Sequence, residues 1–389
     1  MEQNLELRKF VCPEIITGID ARFLTVRYLS NFGAKRPLIV TDSCVQHLPW
    51  FEETVKTMQD ACETIEIFSN ISSNPRDYEV HEGERIFREK KCDVLIAVGG
   101  GSPIDCAKGI SILAANGGNI LDYEGVDMIH NDGPPLICIP STAGAAADVS
   151  QFAIICDSYK KLKIAIISKK VVPDLALLDP IPLLTMDPYL TACTGMDALT
   201  HAIEAYVSNA YSDLTDVHAV EAIRLICENI EASVQKKRTV ETMYGMMMGS
   251  LNAGLAFSNA SLGAVHAMAH SLGGLTDAPH GECNSILLEP VIDFNFSSCE
   301  IKYTRIASLM GISVENMTNE DVKNALLRKI AELRESLHIP SIKTIDNLSG
   351  ELIQELAVRA IHDPCLITNP KPLDEEVIRE IYGRILKQQ

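Results

Sequence analysis

The chain has 389 residues, of which 47% are hydrophobic and 22% charged, with a formal net charge of −18 and a pI near 5.0. This length exceeds what one hydrophobic core usually supports, so we expect two domains. The acidic balance excludes a protein that follows nucleic-acid phosphates, and it disfavours an anionic membrane as a partner.

The start of the chain and its cysteines both predict a cytoplasmic protein. Residues 1–10 contain no apolar segment of the secretory type, and no uninterrupted apolar run approaches the roughly 18 residues of a membrane span. The 12 cysteines include no CxxC pair, as expected for reduced thiols rather than a disulfide framework.

Up to residue 187, short apolar runs alternate with helical stretches. The predicted strands are PLIVTD (37–42), ETIEIF (63–68), CDVLIAVGG (92–100), PLICIPS (135–141) and DLALLDP (174–180). Alternation of this kind predicts βα units and a largely parallel sheet. We therefore predict an α/β domain over residues 1–187.

A glycine-rich turn in this domain predicts a phosphate-binding loop. In IAVGGGSPIDCAKGI (96–110) a buried strand runs into the GGGS turn, and a helix is predicted to begin with Pro103 near its first position. Glycines let the backbone approach a pyrophosphate, which the unpaired N–H groups of a helix N-terminus bind. The sequence matches neither GxGxxG nor GxxxxGK[ST], so a plain tight turn is the alternative interpretation.

Asp42 ends the strand PLIVTD and is the candidate for binding a ribose. A carboxylate at this place accepts a hydrogen bond from the ribose 2′-OH of NAD and repels the 2′-phosphate of NADP. The competing interpretation is a cap at the start of the next helix. With the glycine turn, Asp42 favours a Rossmann-like, NAD-binding fold for the first domain.

Beyond Pro188 the strand pattern stops and long amphipathic segments follow. Helices are predicted over 189–208, 213–234, 239–257, 319–337 and 349–362, separated by polar and proline-containing turns. The pattern predicts an all-α domain over residues 188–389. No long linker separates it from the first domain, so we expect the two to pack directly.

The predicted helical domain contains a cluster of candidate metal ligands. Asp197 and His201 are four residues apart and share one helical face. His266 and His270 share another face, and His280 follows the Gly-Gly and Ala-Pro pairs that are predicted to break that helix. Imidazoles with one carboxylate suit Fe²⁺ or Zn²⁺ better than Mg²⁺ or Ca²⁺. Spacing does not decide which of these histidines bind the ion and which lie just outside its shell.

Several short motifs are shared, in the same order, with one enzyme family. They are GGGSPIDCAK (99–108), STAGAAADVSQF (141–152), GMDALTHAIEAY (195–206), VHAMAHSLGG (265–274), PHGECN (279–284) and DPCLITNP (363–370). Through them the chain resembles the iron-containing (group III) alcohol dehydrogenases over essentially its whole length. The resemblance implies an N-terminal dinucleotide-binding domain and a C-terminal helical metal-binding and catalytic domain, with the active site between them. It also implies NAD-linked interconversion of a primary alcohol or short diol and its aldehyde.

The resemblance further implies roles for individual residues, carried over position by position. The implied metal ligands, for Fe²⁺ or alternatively Zn²⁺, are Asp197, His201, His266 and His280. His270 then lies near the nicotinamide and the substrate, and it is our candidate for the catalytic proton relay because imidazole titrates near neutral pH. The implied NAD-binding residues are Asp42, Asn74, Gly99, Gly100, Gly101, Ser102, Ser141, Thr142 and Lys163. Candidates for the substrate pocket wall are Phe152, Phe257 and Cys365.

One segment departs from the family pattern. Many relatives read TTAGTGSE where this chain has STAGAAAD, so Ala145 and Ala147 replace hydroxyl residues and Asp148 replaces a longer Glu. We expect NAD binding to survive on backbone N–H groups.

Two other functions are alternatives to the dehydrogenase. One is a metal-dependent lyase or hydrolase that acts on a phosphorylated substrate, with the glycine turn holding the phosphate. The other is a non-catalytic or regulatory member of the same fold. For the chain as a whole, an edge strand near the N-terminus is expected to pair across a homodimer, as the family resemblance implies.

Overall fold

The structure is a computed structural model that describes residues 7–276, 278–340 and 350–387. In its first part strands and helices alternate. The strands are β1 Glu14–Thr17, β2 Pro37–Val40, β3 Glu66–Phe68, β4 Val94–Gly99, β5 Gly125–Val126, β6 Leu136–Pro140, β7 Phe152–Asp157, β8 Leu162–Ile167 and β9 Leu175–Leu178. The helices of this part are α1 Thr25–Phe32, α2 Pro49–Met58, α3 Asp77–Glu89 and α4 Gly101–Asn116.

The main sheet has six strands in the order β1-β9-β6-β4-β2-β3, and every neighbouring pair is parallel. Strands β2, β4, β6 and β9 are buried along their whole length, as their continuous apolar sequences require between two layers of helices. The predicted parallel sheet is confirmed. Since all strands run the same way, the turns after β2, β4 and β6 meet at one edge of the sheet.

A second, smaller sheet has the order β5-β8-β7 and contains an antiparallel β7–β8 hairpin. The sequence prediction omits this hairpin because its turn carries no glycine or proline. The turn is instead held by the Asp157 carboxylate, which accepts hydrogen bonds from the N–H groups of Tyr159 at 3.0 Å and Lys160 at 2.9 Å.

The second part is helical throughout the residues that are described. Its helices are α5 Pro188–Val207, α6 Asp213–Ser233, α7 Val240–Ala260, α8 Ala264–Thr276, α9 His280–Asn295, α10 Glu300–Leu309, α11 Asn319–Ser336, α12 Gly350–Ala360 and α13 Glu375–Lys387. None of the described helices is long and apolar enough to cross a membrane. The predicted combination of an α/β domain and a helical domain is confirmed.

Helix α5 connects the two parts. Asp187 caps it by accepting hydrogen bonds from the N–H groups of Tyr189 and Leu190, and Pro188 occupies its first position. The helix packs against α6, α7 and α9, and its apolar core continues into β9. Secondary structure therefore changes character at residue 188, while the division into domains 1–187 and 188–389 stays a prediction.

Two predicted helix ends are wrong. Helix α4 begins at Gly101 with Gly100 as its N-cap, so Pro103 is its third residue. That place suits proline as well as the first does, because no N–H of the first turn has an acceptor within the helix. Helix α8 continues through Gly273 and Gly274, and His280 is the first residue of the next helix.

Candidate active site

Three helices bring Asp197, His201, His266 and His280 together. The first two lie on α5, His266 on α8 and His280 at the start of α9. The Nε2 atoms of the three histidines lie 4.0, 3.7 and 3.7 Å from Asp197 Oδ1, in the order of the sequence. His201 and His266 are buried, whereas the His280 side chain is 29% exposed, so the cluster opens on its His280 side.

The spacing of these atoms fits a divalent metal ion. Around an ion with bonds of about 2.1–2.3 Å, tetrahedral ligand atoms lie roughly 3.4–3.8 Å apart, close to the distances found here. Burial alone would raise the pKa of Asp197, but His201, His280 and His266 more than offset it and lower the pKa. Burial lowers the pKa of His201 to about 3 and also lowers that of His280. The shifts favour an ionised Asp197 and neutral His201 and His280, the forms that bind metal.

Glu204 orients His266 from behind. Its Oε2 accepts a hydrogen bond from His266 Nδ1 at 2.6 Å, and its Oε1 accepts one from the Val265 N–H at 2.7 Å. Burial lowers the pKa of His266, but hydrogen bonds to Asp197 and Glu204 outweigh it and raise the pKa to about 9. The carboxylate fixes the tautomer that presents Nε2 to the cluster, as in carboxylate–histidine–metal triads. Glu204 is not among the residues predicted from the sequence, although it stands in the motif GMDALTHAIEAY.

Replacing Glu204 by glutamine is expected to weaken metal binding by about 10- to 100-fold, because the imidazole loses its charged partner. Competition with a chelator measures the metal affinity. The control is Glu289→Gln. Glu289 lies on α9, and its carboxylate pairs with Arg334 of α11 at 3.0 Å. Unchanged affinity in the Glu204 variant would contradict this role.

His270 lies beside the cluster and has its own carboxylate partner. Its ring is 5.3 Å from that of His280 and nearly parallel to it. Its Nδ1 lies 2.8 Å from Asp363 Oδ2. Burial raises the pKa of Asp363, but the charge and hydrogen bond of His270 outweigh this and leave the pKa at about 2. Asp363 therefore holds His270 with Nε2 as the atom available for proton transfer. Asp363 is not among the residues predicted from the sequence, although it begins the motif DPCLITNP.

The glycine turn forms the predicted cradle between β4 and α4. Gly99 has a φ of +151°, and a Cβ there would lie 2.7 Å from the Pro103 ring. A Cβ on Gly100 would lie 3.2 Å from the Thr142 side chain, and Ser141 donates its N–H to Gly99 O at 2.9 Å. Only glycine satisfies both the backbone and the close neighbours at residue 99. The backbone and the α4 N-terminus thus suit a diphosphate.

The two oxygens of the Asp42 carboxylate are placed for two different roles, a cap for the following turn and a contact with the cradle. Its Oδ1 caps the following turn by accepting the N–H groups of Cys44 and Val45, each at 2.9 Å. Its Oδ2 lies 3.5 Å from the point where a Cβ on Gly99 would stand. One carboxylate oxygen therefore faces the cradle, where a ribose hydroxyl could bind.

Two further predicted NAD residues lie at the cradle and one at the metal cluster. Ser102 Oγ donates to Ser73 O at 2.5 Å, which brings the loop of Asn74 to the start of α4. Lys163 lies on β8; burial lowers its pKa, while Cys283, Cys156 and Asp197 act in the opposite direction. The effect of Asp197 places the ammonium group within electrostatic range of the candidate metal ligands.

The three predicted pocket residues also lie at the cluster. The Phe257 ring stacks on His201 with centroids 4.3 Å apart, and Phe152 packs on Phe257 at 5.8 Å. Cys365 donates its N–H to Asp363 Oδ1 at 2.8 Å and is buried. The two aromatic rings cover one side of the cluster with apolar surface.

The atypical segment lies between the cradle and the metal cluster. Ala145 Cβ would lie 3.0 Å from a Cβ on Gly101, so this alanine borders the cradle. Asp148 is buried; burial is the main effect that raises its pKa to about 6, against the opposing charge of Lys108. Lys108 is also buried and donates to Ser150 O at 2.9 Å and Phe152 O at 2.6 Å. It therefore joins α4 to β7, which begins at a candidate pocket residue.

The buried Asp148 gives a prediction for stability. Its folded-state pKa of about 6 exceeds the usual 3.8, so the native protein binds more protons and loses stability as pH rises from about 4 to 6. Asp148→Asn removes this loss, so it should match the wild type near pH 4 and exceed it by about 2–3 kcal/mol at pH 7. Chemical denaturation at several pH values measures the difference. A constant difference, or the same trend in the exposed control Asp60→Asn, would contradict the prediction.

Comparison with known families tests the arrangement. Residues 12–180 match the family profile "Iron-containing alcohol dehydrogenase", and residues 191–386 match "Fe-containing alcohol dehydrogenase family, C-terminal". The chain belongs to the iron-containing alcohol dehydrogenase family. Membership implies NAD and a divalent metal as cofactors.

Relatives of this dehydrogenase match it over nearly their whole length. The 1,3-propanediol dehydrogenase of Citrobacter freundii is 36% identical over 352 residues, which cover 90% of this chain and 91% of the relative. The NAD-dependent methanol dehydrogenase of Bacillus methanolicus is 34% identical over 377 residues, covering 97% and 99%. A solved 1,3-propanediol oxidoreductase structure superposes with a TM-score of 0.94 at 34% identity, covering 98% of this chain and 100% of that one.

The protein is therefore an NAD-linked, metal-dependent alcohol dehydrogenase. The resemblance inferred from the motifs is confirmed, as are the fold and the general function. Membership of this family favours the dehydrogenase over the two alternative functions, a lyase or hydrolase and a non-catalytic protein.

Proposed function

We propose that this dehydrogenase holds Fe²⁺ with Asp197, His201, His266 and His280 and interconverts a primary alcohol or short diol and its aldehyde with NAD. The observation that carries the proposal is the convergence of three Nε2 atoms within 3.7–4.0 Å of one carboxylate oxygen. The bound ion supplies Lewis-acid polarisation of the substrate oxygen.

The first part of the chain, residues 1–187 in our division, binds and orients NAD. The glycine cradle and the α4 N-terminus hold the diphosphate, with Ser102, Ser141 and Thr142 around it, while Asp42 accepts the adenosine ribose hydroxyl. Asn74 lies on the adenine side and Lys163 on the nicotinamide side. This arrangement directs the nicotinamide toward the helical part, residues 188–389, where the metal ligands lie. A nicotinamide bound there would supply the hydride acceptor for the alcohol carbon.

The substrate binds beside Phe152, Phe257 and Cys365. Phe257 stacks on His201, and Phe152 packs against Phe257. Together the two rings would exclude water from the reacting carbon, which favours hydride transfer over side reactions. A pocket wall of this kind suits a short, weakly polar alcohol. The names of the relatives, a 1,3-propanediol and a methanol dehydrogenase, agree with that size.

His270 carries the alcohol proton to solvent. Asp363 holds its Nδ1, so Nε2 exchanges the proton. We expect His270→Ala to lower kcat by about 10²-fold and to change the shape of the pH–rate profile, while the metal content stays unchanged. Steady-state kinetics across pH, with metal analysis of the same samples, measure both. A normal kcat and pH profile would contradict the relay.

An alcohol panel tests the function as a whole. The metal-loaded protein is assayed for NADH formation with methanol, ethanol, 1,2-propanediol and 1,3-propanediol, each with NAD and with NADP. We expect turnover of at least one of them and a preference for NAD, since Asp42 repels a 2′-phosphate. Absence of turnover with every alcohol and, in reverse, with every aldehyde would contradict the proposal.

The proposal also includes the identity of the ion, the oligomeric state and the cellular compartment. Fe²⁺ is favoured over Zn²⁺ by the family, and anaerobic purification with elemental analysis decides between them. Strand β1 is an edge of the main sheet, which supports a homodimer formed by strand pairing. The acidic composition and unpaired cysteines support a cytoplasmic enzyme without nucleic-acid or membrane partners.

A further inference from the structure

Glu79 closes the loop that carries Asn74, one of the proposed NAD-binding residues. It is the third residue of α3, and it is only 5% exposed. Its Oε2 accepts the Arg76 N–H at 2.9 Å, and its Oε1 accepts the Ser72 hydroxyl at 2.5 Å and the Ser72 N–H at 3.2 Å. One carboxylate therefore ties together the two ends of the loop formed by residues 72–76.

Two features stabilise the charge of this buried carboxylate. A carboxylate loses its hydration on burial, and Ser72 and Arg76 provide three donors in exchange. The first turn of a helix also has unpaired N–H groups and the positive end of the helix dipole, which favour a negative charge at its third position. Contacts within the protein itself therefore hold the 72–76 loop in place.

The tied loop contacts the glycine cradle on one side and the β7–β8 hairpin on the other. Ser73 O accepts the hydroxyl of Ser102, at the start of α4, at 2.5 Å. Pro75 O accepts the Cys156 N–H at 2.8 Å, and the Arg76 guanidinium donates to Cys156 Sγ at 2.9 Å. The loop thus connects the N-terminus of α4 to the end of β7.

The contact with the hairpin reaches a second proposed NAD residue. Cys156 on β7 lies directly opposite Lys163 on β8 in the antiparallel pair. At the hairpin turn, Ser158 donates its N–H to the Oδ1 of Asp77, the first residue of α3, at 3.1 Å. The loop and the first turn of α3 therefore join the diphosphate cradle to the strand that carries the lysine.

We propose that Glu79 is a positioning residue for NAD. It holds the 72–76 loop in the conformation that presents Asn74 and joins the cradle to the hairpin, and it does so without contacting NAD itself. The inference rests on the NAD site of the proposed function. A loop that must be ordered on binding loses conformational entropy, which lowers affinity, whereas a loop that is already tied does not. Glu79 therefore acts on the affinity for NAD and not on the metal ion.

Two substitutions at Glu79 test this role. Glu79→Ala should raise the Kd and the KM for NAD by about 10-fold, while kcat at saturating NAD, the KM for the alcohol and the metal content stay within about twofold of the wild type. Glu79→Gln should restore most of the affinity, because its amide oxygen still accepts the Arg76 N–H and its NH₂ group donates to the Ser72 hydroxyl. Calorimetric titration of the metal-loaded protein with NAD and steady-state kinetics measure these quantities.

Asp321→Ala is the matched control. Asp321 is likewise the third residue of its helix, α11, and its Oδ2 accepts the Thr318 N–H at 3.2 Å and the Thr318 hydroxyl at 2.6 Å. It lies in the helical part of the chain, so its loss should lower thermal stability and leave the Kd for NAD unchanged.

Three results would overturn the inference. They are an unchanged Kd for NAD in Glu79→Ala, a Glu79→Gln variant that binds NAD no better than Glu79→Ala, and equal losses in kcat, alcohol KM and metal content. If Glu79→Ala does not fold, Ser72→Ala decides, since it removes only the hydroxyl contact and should raise the Kd about threefold; an unchanged Kd would again overturn the inference. A wild-type protein that binds no NAD would instead contradict the proposed function.

Discussion

Asp197→Ala is expected to abolish metal binding and to lower alcohol oxidation by at least about 10³-fold. Asp197 Oδ1 is the point on which the three Nε2 atoms converge, and it supplies the negative charge of the cluster. Without it, three neutral imidazoles hold the ion weakly, and the several kcal/mol of charge stabilisation that an ion supplies are lost. Metal content per chain and NADH formation measure the two effects.

Asp187→Ala is the matched control for this variant. Asp187 is the N-cap of the same helix, so its loss should cost about 1 kcal/mol of stability while metal content and turnover persist. If Asp197→Ala retained one ion per chain, the assignment of the ligands would be wrong.

Gly281→Ala is expected to disrupt the metal cluster because the new methyl group would clash with the backbone of α5. Gly281 follows His280 at the start of α9, and a Cβ there would lie 2.1 Å from the carbonyl oxygen of Cys193 on α5. Because the obstacle is backbone, α9 must move away from α5, which separates His280 from Asp197. We expect at least about 3 kcal/mol of destabilisation, the upper range for overpacking, together with weakened metal binding.

Thermal unfolding with and without added metal measures both consequences. The control is Gly383→Ala on α13, where a Cβ would have no atom within 4 Å. That change should be neutral or stabilising by up to about 1 kcal/mol, since alanine favours helix. A Gly281 variant with wild-type stability and metal affinity would show that the contact between α5 and α9 does not hold the site together.

Local sequence patterns predict the main sheet and part of the candidate metal cluster. The runs PLIV and VLIAVG are apolar throughout, as strands buried on both faces must be. Asp197 and His201 share a helical face that their four-residue spacing reveals. The choice between His270 and His280 came only from the resemblance. In the structure His280 Nε2 lies 3.7 Å from Asp197 Oδ1, whereas His270 Nδ1 pairs with Asp363.

The supporting residues could not be predicted because their roles depend on contacts between distant elements. Glu204 meets His266 only where α5 packs on α8, and Asp363 meets His270 across 93 residues of chain. Asn284 donates a hydrogen bond to Asp197 only where α9 packs on α5. The β7–β8 hairpin was not predicted because its turn is held by a carboxylate and contains no glycine.

Reconstitution of the metal-free enzyme measures whether an ion held at Asp197 is required for turnover. Protein stripped by a chelator is titrated anaerobically with Fe²⁺ in the presence of NAD and 1,3-propanediol, and NADH formation is followed alongside the Asp197→Ala variant. We expect activity to rise to a plateau at one equivalent of Fe²⁺ per chain and to stay at background in the variant. Full activity of the stripped protein, or equal recovery by Asp197→Ala, would contradict it.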